Sequence, residues 1–149
     1  MYLEYTTKEH EKVAFYAYTN PDRSELIGMA EGYLGIRNDL VTVIKIIPEF
    51  QNKGFGFKLF TEVFQHLSAP GPISTVVGSW EKGNEFSYCE DGQSTNLSVF
   101  QQLRDSGFTD KEAAFGTPTG KWAHRMGYNL VDFKVIGRDY VHLEFTKTS

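Results

Sequence analysis

Three features of this sequence predict an α+β fold with a mixed, mostly antiparallel sheet and flanking helices. Strand-like segments come first and last, and one long amphipathic helix stands in the middle. The chain closes on two strands around Gly137-Arg138-Asp139, a hairpin signal.

The elements follow in order. Tyr2–Thr6 and Val13–Tyr18 read as strands, rich in aromatic and β-branched residues. Asn20-Pro21-Asp22-Arg23 is a turn, and Glu25–Ile36 reads as a third strand. Asn38-Asp39 makes a second turn before an apolar run, Val41–Ile47, that reads as a buried strand and stops at Pro48. Phe57, Phe60, Val63, Phe64 and Leu67 recur at three- and four-residue intervals, the period of an amphipathic helix. Ala69-Pro70-Gly71-Pro72 ends that helix, and Ile73–Trp80 is the next strand. Glu81–Ser94 is polar and rich in Gly, Glu and Asp, as loops are. Leu97–Leu103, Asp110–Phe115 and Gly120–Met126 read as short helices, and Leu130–Ile136 and Tyr140–Thr146 as the closing strands.

At 149 residues the chain is predicted to be one domain, with 12 Phe, 8 Tyr and 2 Trp to fill a core. A net charge of −4 argues against broad nucleic-acid binding. The lone cysteine, Cys89, excludes an internal disulfide framework, and the four histidines (10, 66, 124 and 142) show no metal spacing, so no metal is expected. MYLEYTTKEHEK lacks a signal-peptide pattern and no run has membrane-spanning length, which points to a cytoplasmic protein.

The chemistry is concentrated between Val41 and Leu67. An apolar strand feeds the turn Gln51-Asn52-Lys53-Gly54-Phe55-Gly56, which opens a helix. Such a turn presents unpaired backbone N–H groups and the positive end of the helix dipole, an environment for phosphate. Gly54 and Gly56 permit close backbone approach, and Lys53 and Lys58 add positive charge. A P-loop is excluded: its nearest match, Gly116-Thr117-Pro118-Thr119-Gly120-Lys121-Trp122, is one residue short and carries Trp at the Ser/Thr place. A dinucleotide fingerprint is excluded by Leu59, where the third glycine belongs.

Gln51-x-x-Gly54-x-Gly56, entering a helix from an apolar strand that ends in proline, resembles the acyl-CoA-binding motif of the GNAT superfamily of N-acyltransferases, Gln/Arg-x-x-Gly-x-Gly/Ala. The resemblance implies a GNAT-like fold in which the fourth and fifth strands splay apart to admit the pantetheine arm. It implies acetyl-CoA as acyl donor, with the pyrophosphate on Gln51, Asn52, Lys53, Gly54, Phe55, Gly56 and Lys58, and the thioester carbonyl polarised by amides near Ile46 and Ile47. Two departures accompany it. Only Thr7–Lys12 separates the first two strands, where the family usually has two helices. The family's second motif, roughly Asn-x-x-Ala-x-x-Leu-Tyr-x-x-x-Gly-Phe, has two rival matches. Asn96–Phe108 supplies Asn96 for the pantetheine arm but has Leu103 at the tyrosine; Gly120–Tyr128 has the better topology but Ala123 there. The segment between them is expected to be an insertion that forms the acceptor pocket.

Acyl transfer to an amine needs a neutral nucleophile, an oxyanion donor and an acid for the departing sulfur. Leu40 stands where some relatives carry a basic Glu, so Glu31 or Asp39 is the candidate base. His124 is a candidate proton shuttle. Tyr88, Tyr128 and Tyr140 are candidate acids. Cys89 has no activating neighbour in sequence, and Glu85, Glu90 and Asp91 could attract a cationic amine. Each of these also has a plain reading as a solvated or packed side chain.

The function expected is acetyl-CoA-dependent transfer of an acetyl group directly to an amine acceptor: a small amine, a protein amine or an aminoacyl-tRNA. The alternative is a non-catalytic acyl-CoA-binding or protein-interaction module on the same fold. Exposed sheet edges would also allow a homodimer.

Overall fold

The computed structural model describes residues 1–82 and 95–148. The chain is α+β and divides into two compact units, Met1–Ser74 and Thr75–Ser149. Every strand pair within them is antiparallel.

The first unit is a meander of four strands, β1 (Tyr2–Lys8), β2 (Lys12–Tyr18), β3 (Leu26–Leu34) and β4 (Asp39–Ile46), with one long helix, α1 (Phe55–Ser68). Strand alternation sorts the side chains. Val13, Phe15, Ala17 and Ala30 lie on the face covered by α1 and are buried there with Leu59, Phe60, Val63 and Leu67. Gly32 must be glycine for this contact, because a Cβ would collide with the Val63 side chain. Tyr5 packs on Phe15 with ring centroids 5.3 Å apart, and its hydroxyl donates to Glu62 Oε1 on α1 at 2.6 Å.

Three expectations shift. The apolar run of the fourth strand is not a buried strand: only Leu40 is buried, and Val43 is exposed. An unbroken apolar run cannot by itself tell a strand covered on both faces from one covered on one. The third strand ends at Leu34 rather than Ile36, and Ile36 is fully exposed in the turn. The central helix starts two residues earlier, at Phe55, and buries Leu59, which lay outside the apolar pattern; Phe57 and Phe64 are half-buried.

The second unit has β5 (Thr75–Glu81), α2 (Thr95–Asp105), α3 (Asp110–Gly116), α4 (Pro118–Arg125), β6 (Leu130–Ile136) and β7 (Tyr140–Thr146), with β7 paired to both β5 and β6. Its core joins Trp80 to Phe100 and Phe115 to Phe145, with Leu97, Ala113, Ala114, Ala123 and Leu143 also buried. The fourth helix begins at Pro118, two residues before the expected start, because proline fits the first helical turn. Glu85, Tyr88, Cys89, Glu90 and Asp91 lie outside the described residues. No helix among the described residues is long and apolar enough to cross a membrane.

Candidate acyl-CoA cradle

The turn between β4 and α1 is built by local hydrogen bonds. Ile47 N–H donates to Ile27 O at 2.8 Å, anchoring the end of β4 to β3. A 3-10 turn over Pro48–Phe50 follows, and Gln51 N–H closes it onto Pro48 O at 3.2 Å. The Gln51 side chain then folds back, its Nε2 donating to Ile46 O at 2.9 Å. Asn52 and Gly54 both adopt left-handed backbone, with φ of 61° and 85°. Glycine is the residue that takes such a φ without steric cost, and it stands at the N-cap of α1.

This helix start is open. It has no side-chain cap and no acidic residue in its first turn. A helix leaves its first N–H groups without intrahelical partners, with partial positive charge from the dipole. The first α1 bond is Lys58 N–H to Gly54 O at 3.2 Å. A Cβ built on Gly54 would meet nothing within 4 Å, so the space before the turn is clear. Gln51, Asn52, Lys53, Gly54 and Lys58 are exposed, and Phe55 and Gly56 are half-buried.

The two cations are placed by aromatic rings. Phe50 and Phe55 meet edge to face at 5.8 Å. Lys53 Nζ lies 5.8 Å from the Phe50 centroid and Lys58 Nζ 5.3 Å from that of Phe55. Both contacts are within cation–π range. The arrangement fits a pyrophosphate: a helix start without a side-chain cap, two lysines beside it and open space at the Gly54 Cβ position.

Ile46 and Ile47 separate here. Ile46 stands opposite Gly28 in a non-hydrogen-bonded pair, so its N–H and C=O point away from β3; Ile47 N–H is spent on Ile27. Of these two amides, the Ile46 N–H is the one not bonded to β3.

The proton-transfer candidates have other occupations. Glu31 lies on the β3 face opposite α1, with Lys12 Nζ 3.6 Å from its carboxylate. Asp39 accepts from Arg37 N–H at 3.2 Å inside the β3–β4 turn. In the second unit, His124 is exposed, its ring edge-on to Phe115 at 5.6 Å. Tyr128 is fully buried, and burial pushes its hydroxyl pKa up.

Asn96 is equally committed. Its Oδ1 accepts from Thr119 N–H at 2.9 Å, in the first turn of α4. Thr117 is buried beside it, donating to Ala114 O at 2.7 Å and accepting from Gly120 N–H at 3.0 Å. The Thr-Pro-Thr-Gly segment is therefore a capped corner between α3 and α4, and Asn96 joins α2 to it. The two rival second motifs belong to one packed assembly.

One group was not legible from sequence spacing. The β5–β7 register puts Ser79 opposite His142, and Tyr140 Oη lies 3.4 Å from both Ser79 Oγ and His142 Nδ1. Tyr140 is one of three candidate tyrosines; His142 shares its strand face two residues on, while Ser79 comes from strand pairing, which spacing along the chain does not reveal. Among the described residues no group of His, Cys, Asp and Glu gathers as a metal site.

No family model matches the chain, and no curated protein matches it. Among solved structures it is similar to a variant of the spermidine N-acetyltransferase SpeG from Vibrio cholerae, at 12% identity and a TM-score of 0.46, over 93% of this chain and 67% of that one. The IAA acetyltransferase from Bacillus cereus ATCC 14579 is similar at 15% identity and 0.45, over 91% and 78%. Spermidine N-acetyltransferase from Vibrio cholerae in complex with CoA and spermine is similar at 13% and 0.45, over 92% and 66%. At such low identity the functional reading rests on the chain's own residues.

Proposed function

We propose that the chain is an acyl-CoA-dependent N-acetyltransferase, with residues 1–149 acting as one GNAT-like domain and acetyl-CoA as donor. The observation that carries this reading is the uncapped start of α1, with Gly54 left-handed, clear space before it and Lys53 and Lys58 at its rim. Acetyl-CoA supplies a thioester: the amine lone pair forms the C–N bond as the C–S bond breaks, and the proton the nitrogen loses ends on the departing sulfur. An amide near Ile46 is the proposed donor to the carbonyl oxygen, a reading supported by its N–H pointing away from β3.

Proximity carries much of the rate. Glu31, Asp39, His124 and Tyr128 are occupied in an ion pair, a turn, a ring contact and the core, so none is assigned as base or acid. Tyr140 is kept as a candidate acid of the second unit, its hydroxyl 3.4 Å from His142 Nδ1. The acceptor is an amine; the neighbouring structures include an enzyme crystallised with spermine.

The test is release of CoA thiol from acetyl-CoA in the presence of a panel of small amines, peptides and aminoacyl-tRNA. Amine-dependent release that falls with Tyr140→Phe supports the reading. Tight CoA binding without release for any amine would instead favour a binding module.

A further inference from the structure

The second unit has a polar cleft of about 520 Å³ between the last turn of α2 and the turn that joins β6 to β7. Gln101, Arg104 and Asp105 form one wall, and Gly137, Arg138 and Asp139 the other. The two walls are tied together, because the Gln101 side-chain amide donates to the Arg138 carbonyl. The turn is pinned as well, by Gly137 N–H to Tyr140 O at 2.8 Å and by Lys82 N–H to Asp139 O at 2.9 Å. Arg104 is held in place by Asp110, 2.9 Å from its Nε, and by the Phe100 ring, 5.4 Å from its guanidinium carbon.

Two arginines and two aspartates line this cleft without neutralising each other. Among the described residues Arg138, Asp105 and Asp139 make no ion pair, and the partner of Arg104 is not one of the lining residues. No apolar side chain lines the cleft, so a ligand is recognised there by charge and hydrogen bonds.

We propose that the cleft binds a small zwitterion, a free amino acid or a short peptide. Its carboxylate lies on Arg104 and Arg138, and its ammonium on Asp105 and Asp139. The planar guanidinium fork matches a carboxylate, and an ammonium has three N–H donors for carboxylate oxygens. A plain anion would also face the two aspartates, and a plain amine the two arginines. A molecule with both charges meets a partner at each end. The volume falls in the range of small-molecule sites, about 300–1,000 Å³, and leaves room for a dipeptide. Because the charged ends are exposed, the complex is weak, with a dissociation constant of about 1 mM. Binding here does not depend on the acyltransferase reading, since all six residues lie in the second unit.

The test is a titration with serine and with diserine, read by the amide shifts of Gly137 and of the Gln101 side chain in isotope-labelled protein. Saturable shifts are expected. A site that takes serine is assigned to free amino acids, and one that takes diserine alone to peptides. N-acetyl and C-amide forms of the ligand, each stripped of one charge, should bind about fivefold or more weakly. Arg138→Gln and Asp105→Asn, with thermal melts to verify folding, should each weaken the zwitterion by a similar factor. No saturable shift with either zwitterion, blocked ligands that bind as well, or variants as tight as the parent would overturn the proposal.

Discussion

Gln51 Nε2 donates to the carbonyl of Ile46 at 2.9 Å, tying the turn that opens α1 to the last residue of β4. The bond ties the proposed pyrophosphate cradle to the residue whose N–H and C=O point away from β3. Gln51→Ala removes it without touching the core. Such a bond contributes about 1 kcal/mol to stability, so the melting temperature should fall by about 2–4 °C, and the loosened turn should bind CoA more weakly. Calorimetry paired with a thermal melt checks both halves.

Gly54 carries two separable roles. Gly54→Ala meets no neighbour, so its cost is the left-handed φ of 85° alone, about 1 kcal/mol of unfolding free energy in urea. Gly54→Glu adds a carboxylate at the cradle and should abolish CoA binding at a similar cost in stability.

Lys53 and Lys58 act through charge. The Lys53→Ala, Lys58→Ala double variant should lose about tenfold in CoA affinity at low salt. Its affinity should also vary less with ionic strength than the parent's. A titration series across salt concentrations reads the slope.

The α3–α4 corner is structural. Thr117→Val strips an N-cap and leaves the Gly120 N–H without its acceptor in a buried site. It should cost about 1–3 kcal/mol of stability. Asn96→Ala should cost about 1 kcal/mol through Thr119. Denaturant unfolding of both variants measures this.

Alkaline pH should destabilise the fold. Burial, then the hydrogen bond to Glu62, raises the Tyr5 pKa, and burial raises that of Tyr128. Both therefore hold their proton in the folded chain after an unfolded tyrosine, with pKa about 10, has lost it. Their contribution is complete below about pH 10 and declines as pH rises through that value toward the folded pKa. Unfolding midpoints across this range should fall, and Tyr5→Phe should make the fall shallower.

The element order was legible because strand and helix periods are local. Val13–Tyr18 and Tyr140–Thr146 announce themselves by composition, and the cradle by an apolar run, a proline and two glycines in succession. What escaped was tertiary. Burial of β4 depends on what covers its two faces, which Val41–Ile47 does not encode. Glu31 as candidate base and Tyr128 as candidate acid rest on residue type alone, and neither Lys12 beside the one nor the core around the other is encoded locally. Asn96 carried a motif match, but its partner stands 23 residues away at Thr119. Ser79 joins Tyr140 and His142 only through the β5–β7 register.

The central claim is that residues 51–58 hold acyl-CoA. Isothermal titration with acetyl-CoA and desulfo-CoA, beside a Gly54→Glu and Gly56→Glu double variant, tests it most directly. The account predicts that the parent binds both ligands and the folded variant binds neither. A parent that binds neither, or a variant that binds as the parent does, would contradict it.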